Sequence, residues 1–187
     1  MCGNSILLEK GFLFPSNIYY LHKIFYALSF SLIKGDIEQY NDSINKYNIA
    51  YGSFGVILAL IRSGNNFKVG MKDYLGGWFE LIIPYLEKKS ANLKSNLGLF
   101  NGFSGIITVL YELGYEKNAL LMLENILKNF TEDKVNTAED VSIYSGLSGI
   151  GLLYLSFYEI LGDDTLLQSL KVIYNKIISI YLNNRDM

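Results

Sequence analysis

Cys2 and His22 are the single cysteine and single histidine of this chain, and they bound its chemistry before any fold is considered. A catalytic zinc site takes three protein ligands, typically drawn from cysteine and histidine, and keeps a fourth position open. Two such residues, neither of them in a recurring motif, cannot build a His/Cys three-ligand site within one chain. A lone cysteine also leaves no internal disulfide framework and suits a reducing compartment, so a cytoplasmic location is expected. His22 sits in the apolar stretch Ser16 to Ile33, where a hydrogen-bonded core histidine is the expectation.

Glycine, in contrast, recurs with a spacing. Gly52-Ser-Phe-Gly55-Val-Ile-Leu, Gly102-Phe-Ser-Gly105-Ile-Ile-Thr and Gly146-Leu-Ser-Gly149-Ile-Gly-Leu lie 50 and 44 residues apart. Each is followed by an apolar run and a closing glycine: Gly64, Gly114 and Gly162. A fixed motif at that period signals one supersecondary unit stacked several times. Glycine pairs of this kind can cradle phosphate, but two such readings fail here. The G-x-x-G lacks the basic residues of an RNA-clamping loop, and Gly149-Ile-Gly151 follows no strand, as a dinucleotide fingerprint requires. Gly52, Gly55, Gly102, Gly105, Gly146 and Gly149 are therefore read as structural, letting a neighbouring backbone come close at a helix start. The closing glycines supply the left-handed residue that ends a helix.

The elements that carry these motifs read as helices throughout. With 187 residues, 50% hydrophobic and 18% charged, and a mean hydropathy of +0.21, the chain can bury a large core and has no signature of disorder. A formal charge of -2 provides no basic stripe for a phosphate backbone, which sets nucleic-acid binding aside. Met1 to Lys10 has no charged region before its apolar patch and is not a secretory signal. Ser16 to Ile33 is interrupted by His22 and Lys23, and Gly146 to Leu161 carries Glu159, so both read as buried helices rather than membrane spans.

The expected order is a leading helix, Asn17 to Lys34, then a polar linker, together filling residues 1–48, and three helical hairpins over 49–187 within a single domain. The inner helices are predicted at Ser53–Arg62, Phe103–Leu113 and Leu147–Leu161. Their outer partners are predicted at Met71–Lys89, Glu116–Asn129 and Thr165–Leu182. Leu120, Leu123, Ile126 and Leu127 mark the apolar face of the second outer helix, and Pro84 is expected to bend or break the first near Ile83. The fold class is all-α.

These residues resemble a known family. Leu97-Gly-Leu-Phe-Asn-Gly-Phe-Ser-Gly-Ile-Ile-Thr-Val-Leu-Tyr-Glu-Leu-Gly114, followed by Ala119-Leu-Leu-Met-Leu, is similar to a repeat of the lanthionine synthetase C-like family. So is Asp140-Val-Ser-Ile-Tyr-Ser-Gly-Leu-Ser-Gly-Ile-Gly-Leu152 with its trailing Gly162-Asp163. Phe12-Leu-Phe-Pro15 and Tyr51-Gly-Ser-Phe-Gly-Val56 resemble the opening of the cyclase domain in the class III type of lanthipeptide synthetase.

The resemblance implies an α/α toroid of alternating inner and outer helices, of which this chain holds roughly half. The chain is then a fragment or truncation, or it completes itself as an oligomer. The resemblance also implies a reaction, addition of a cysteine thiol to a dehydrated serine or threonine of a precursor peptide. Where the family uses zinc, two cysteines and a histidine hold it. The residues before the motif glycines here are Ala50 and Tyr51, Phe100 and Asn101, Tyr144 and Ser145, so no metal is expected unless its ligands come from a missing segment.

Without a metal the reaction needs a base for the thiol and an acid for the enolate. Asp140 and Tyr144 are the candidates, on the end of the ring where the family's site lies. Each also has a plain reading, Asp140 as a cap or loop residue and Tyr144, like Tyr51, as ordinary core. The alternative function is a non-catalytic helical module that binds a precursor or leader peptide, or docks on a kinase or lyase domain.

Overall fold

The computed structural model describes residues 6–7, 13–14, 46–63, 65–91 and 97–183. Two units can be distinguished, Met1–Asn41 and Asp42–Met187. In the first, strands β1 (Ile6–Leu7) and β2 (Leu13–Phe14) pair antiparallel, with Ile6 opposite Phe14 and Leu7 opposite Leu13. A two-residue ribbon is too short for any alternating pattern to announce it. The expected helix Asn17–Lys34, together with Cys2 and His22, lies outside the described residues.

The second unit is built from helices. Inner helices α1 (Ser53–Ser63), α3 (Phe103–Glu112) and α6 (Leu147–Leu161) alternate with outer helices α2 (Asn65–Ser90), α4 (Glu116–Asn129) and α7 (Asp164–Asn183). A short helix, α5 (Glu132–Thr137), precedes the third inner helix. Each inner helix packs on its outer partner, α1 on α3, and α3 on α6. No helix among the described residues is long and apolar enough to cross a membrane.

The inner helices sort by burial. In α3, enclosed on both sides, Phe103 through Ile107, Val109 and Leu110 are all buried. Helix α4 buries Ala119, Met122, Leu123 and Ile126 and exposes Glu116, Lys117, Glu124 and Lys128. Its buried stripe is centred on Met122, so Leu120 and Leu127 are its half-buried edges. Phe54, Trp78, Phe79 and Tyr115 form a chain of aromatic contacts with ring centroids 4.8–6.0 Å apart between the first and second hairpins. Outer helices α2 and α4 are joined by Asn118, which donates to Glu87 (2.8 Å), and by Asn125, which donates to Ser90 (3.0 Å).

Two boundaries differ from the sequence expectation. Helix α2 begins at Asn65, through Gly70, and it continues past Pro84 to Ser90 without a break. Pro84 and Glu80, whose carbonyl loses its donor, both lie exposed, where water can take the bond, while Phe79, Ile83 and Leu86 are buried and hold the helix in place. The closing glycines of the second and third hairpins are left-handed, with φ of 87° at Gly114 and 66° at Gly162; Gly64 lies outside the described residues. After Gly162, Asp163 accepts from the Thr165 N–H (2.8 Å) and so opens α7.

Candidate functional site

The three loops that lead into the inner helices are the same structure repeated. Numbered from the first motif glycine, the residue two before it donates its N–H to the corresponding carbonyl of the next repeat. Ala50 donates to Phe100 (2.8 Å), and Phe100 donates to Tyr144 (3.2 Å). Leu99 N–H adds a bond to the Ile143 carbonyl (3.1 Å). A ladder of backbone bonds thus stitches successive loops into a rim at the N-terminal end of α1, α3 and α6.

The motif builds each rung locally. Gly102 and Gly146 are extended N-cap residues, at φ −135° and −108°. The motif serine reaches back over the loop, Ser104 Oγ to the Leu97 carbonyl and Ser148 Oγ to the Val141 carbonyl (2.5 Å), in each case from two residues after the first glycine to five before it. In the first repeat serine and phenylalanine exchange places, and Ser53 donates instead to the Lys46 carbonyl, through its N–H at 3.0 Å. Four residues before the glycine a side chain closes the turn: Asn48 Oδ1 takes the N–H of Tyr51 (2.8 Å) and Gly52 (3.1 Å), and Ser142 Oγ takes that of Ser145 (3.2 Å). The second repeat has Gly98 at this place, and a Cβ there would run into the Tyr144–Ser145 backbone. The second motif glycine meets the carbonyl three residues before the first in every repeat, Ile49 for Gly55, Leu99 for Gly105 and Ile143 for Gly149.

Asp140 stands six residues before Gly146, at the start of the third loop. Its Oδ1 accepts from Ser142 N–H (2.8 Å), its Oδ2 accepts from Ser145 Oγ, and its carbonyl accepts from Leu147 N–H (2.9 Å). The bonds from Ser145 and Ser142 favour the ionised form and hold this carboxyl below its ordinary value. Beside it opens a cleft of about 290 Å³, floored by Leu97, Phe130, Leu147 and Ile150 and edged by Lys134 and Asp140.

Tyr144 is not core. It is exposed on the rim, stacked on Phe100 with ring centroids 6.2 Å apart at 12°, and edge-on to Tyr51 at 6.4 Å. The structure brings Tyr51, Phe100 and Tyr144, one from each repeat, into one exposed cluster in which Tyr144 touches both other rings, with Asp140 at the start of the same third loop. In the second loop, Asn101 Oδ1 is buried with no hydrogen-bond partner among the described residues. Sequence reading did not single out Phe100 or the loop anchors Asn48, Ser104, Ser142 and Ser148. A serine inside all three G-x-x-G motifs was the available signal.

With this geometry established, comparison with known proteins shows a match to the family model described as lanthionine synthetase C-like protein over residues 43–186. That span takes in all seven helices of the described residues and the three rim loops. No curated protein matches the chain.

Proposed function

The chain belongs to the lanthionine synthetase C-like family, and from that premise we propose that it forms part of a lanthipeptide cyclase domain. In that reaction a cysteine thiolate sulfur bonds to the β-carbon of a dehydrated serine or threonine. The double-bond electrons pass to an enolate, and a proton returns to the α-carbon. The observation that carries the reading is the rim, where three loops from three repeats converge with an exposed phenol and an ionised carboxylate.

Zinc serves part of this family by binding the substrate thiol, but the residues here do not fit it. The pairs before the motif glycines offer alkyl, aromatic, amide and hydroxyl groups, and among the described residues no three His, Cys, Asp or Glu side chains gather. No step is therefore routed through a metal. A carboxylate of depressed pKa gains little by taking a thiol proton, so Asp140 is a positioning residue that holds Ser145 and the third loop. Tyr144, exposed at the rim, is the proton donor to the enolate.

The test uses a dehydrated, cysteine-containing peptide. Addition leaves mass unchanged, so the readout is loss of N-ethylmaleimide labelling at the cysteine. Loss of labelling with the wild type, slowed by Tyr144→Phe, is the expected result. Full labelling after long incubation with excess protein overturns the catalytic reading. It would favour a module that holds a precursor or leader peptide, or docks on a kinase or lyase domain, without turnover; the engaged carboxylate of Asp140 and the exposed aromatic cluster are what support that second reading.

A further inference from the structure

The cleft beside Asp140 is walled separately from the rim rings: Tyr51, Phe100 and Tyr144 do not line it. Its floor is apolar, made by the buried Leu97, Leu147 and Ile150 with Phe130 at the side. Its edge carries three charges, Lys134 from α5 and Glu139 and Asp140 from the segment that follows. Among the described residues no ion pair joins Lys134 to either carboxylate, so one cleft presents a cation and two anions held apart. Two of these charges are anchored and have bonding capacity left. Lys134 uses one of its ammonium protons on the Asn129 carbonyl (2.6 Å), which leaves two. Asp140 takes one bond on each oxygen, from Ser142 N–H and Ser145 Oγ, where a carboxylate accepts about four. Helix α5 is itself pinned by buried Val135 and by Lys176 of α7, which donates to the Asn136 carbonyl (2.6 Å). At about 290 Å³ the cleft equals about ten water volumes and lies at the small end of ligand sites. That is room for one amino-acid-sized molecule and too little for a longer chain.

We propose that this cleft binds a free α-amino acid with an apolar side chain, its carboxylate on Lys134, its ammonium on Asp140 and Glu139, and its side chain on the apolar floor. A zwitterion answers both signs of charge at once, whereas a molecule with a single charge leaves the opposite edge unmatched. The proposal goes beyond the cyclase reading and does not rest on it, since no thiol, dehydrated residue or rim ring takes part.

Isothermal titration calorimetry with L-phenylalanine tests it, against phenethylamine, which lacks the carboxylate, hydrocinnamate, which lacks the ammonium, and glycine, which lacks the ring. Phenylalanine is expected to bind with a Kd on the order of 1 mM, and each of the other three about tenfold more weakly, the loss of one charge-assisted bond or of the apolar contact. Lys134→Met should bring phenylalanine down to the level of phenethylamine, and Glu139→Gln should weaken it severalfold. Ala138→Trp, which fills the cleft from its wall, should abolish binding. Lys134 and Glu139 are exposed, and unchanged circular-dichroism melts of their variants separate lost binding from lost folding. No heat of binding up to about 20 mM phenylalanine, phenethylamine or hydrocinnamate binding as tightly as phenylalanine, or phenylalanine binding that survives both Lys134→Met and Ala138→Trp would overturn the proposal. The assay contains no dehydrated peptide, so its outcome is independent of N-ethylmaleimide labelling, and either reading can fail while the other stands.

Discussion

At the level of single residues, Asp140 ties an electrostatic fact to loop stability. Its carboxylate is exposed, yet it holds Ser142 N–H and Ser145 Oγ–H, and those bonds depress its pKa, with Ser145 as the larger cause. A group whose folded pKa is lowered adds stability at pH above its unfolded value, about 3.9, and loses it as pH falls through the folded value. Asp140→Ala should therefore lower the urea midpoint at pH 7, and the gap between variant and wild type should close as pH drops through and below about 4. A gap that persists at low pH would show that the loop depends on packing and not on the carboxylate.

Tyr154 presents the opposite case. Its ring is 1% exposed and its hydroxyl has no hydrogen-bond partner among the described residues, so burial pushes its pKa well above the ordinary phenol range. Tyr154→Phe removes an unsatisfied polar atom and keeps the ring, and should raise stability by about 1 kcal/mol in denaturant titration. A loss of stability would reveal a hidden partner for that oxygen.

Among the elements, glycine has two distinct meanings that the sequence writes with the same letter. A Cβ at Gly149 would strike the Ile143 carbonyl at 2.5 Å as well as the Leu99 amide, backbone on both sides, while a Cβ at Gly77 in α2 meets nothing within 4 Å. Gly149→Ala should cost about 3 kcal/mol, at the upper end for overpacking because backbone cannot step aside. Gly77→Ala should stabilise by about 0.5–1 kcal/mol, the helix-propensity difference. Thermal or urea unfolding of the pair checks both signs. The contrast also explains what was legible beforehand. The motif spacing and apolar runs located the three inner helices closely, because period and composition are local signals. The start of α2 differs from the sequence reading because its Gly70 reads as a breaker, and α5 goes unread because a single apolar residue among six, Val135, makes no apolar period. The aromatic cluster was invisible for a different reason: Tyr51 and Tyr144 look like core tyrosines in sequence, and only the stacking of loops shows that they share an exposed surface.

Across the second unit, equivalent positions of the three repeats differ in burial. Nine residues after the first motif glycine stand Ile61, Tyr111 and Leu155. Ile61 is buried, Tyr111 packs edge-on against Phe157 at 5.0 Å, and Leu155 is 40% exposed. Arg62, the next residue along α1, pairs with Glu112 of α3 in the same direction. Leu152 and Leu155 lie three residues apart on the side of α6 away from Phe157, and both are exposed. An exposed surface that matches an internal repeat interface favours association with another apolar helix face. The isolated chain should therefore show a light-scattering mass above 21.2 kDa at micromolar concentration, and Leu155→Glu should return it toward that value. Since Leu155 is already exposed, the substitution should change the unfolding midpoint by no more than about 0.5 kcal/mol, which separates loss of association from loss of folding. A wild-type chain that runs as a monomer, or a Leu155→Glu chain that associates as before, would mean that this face of α6 is not what drives contact.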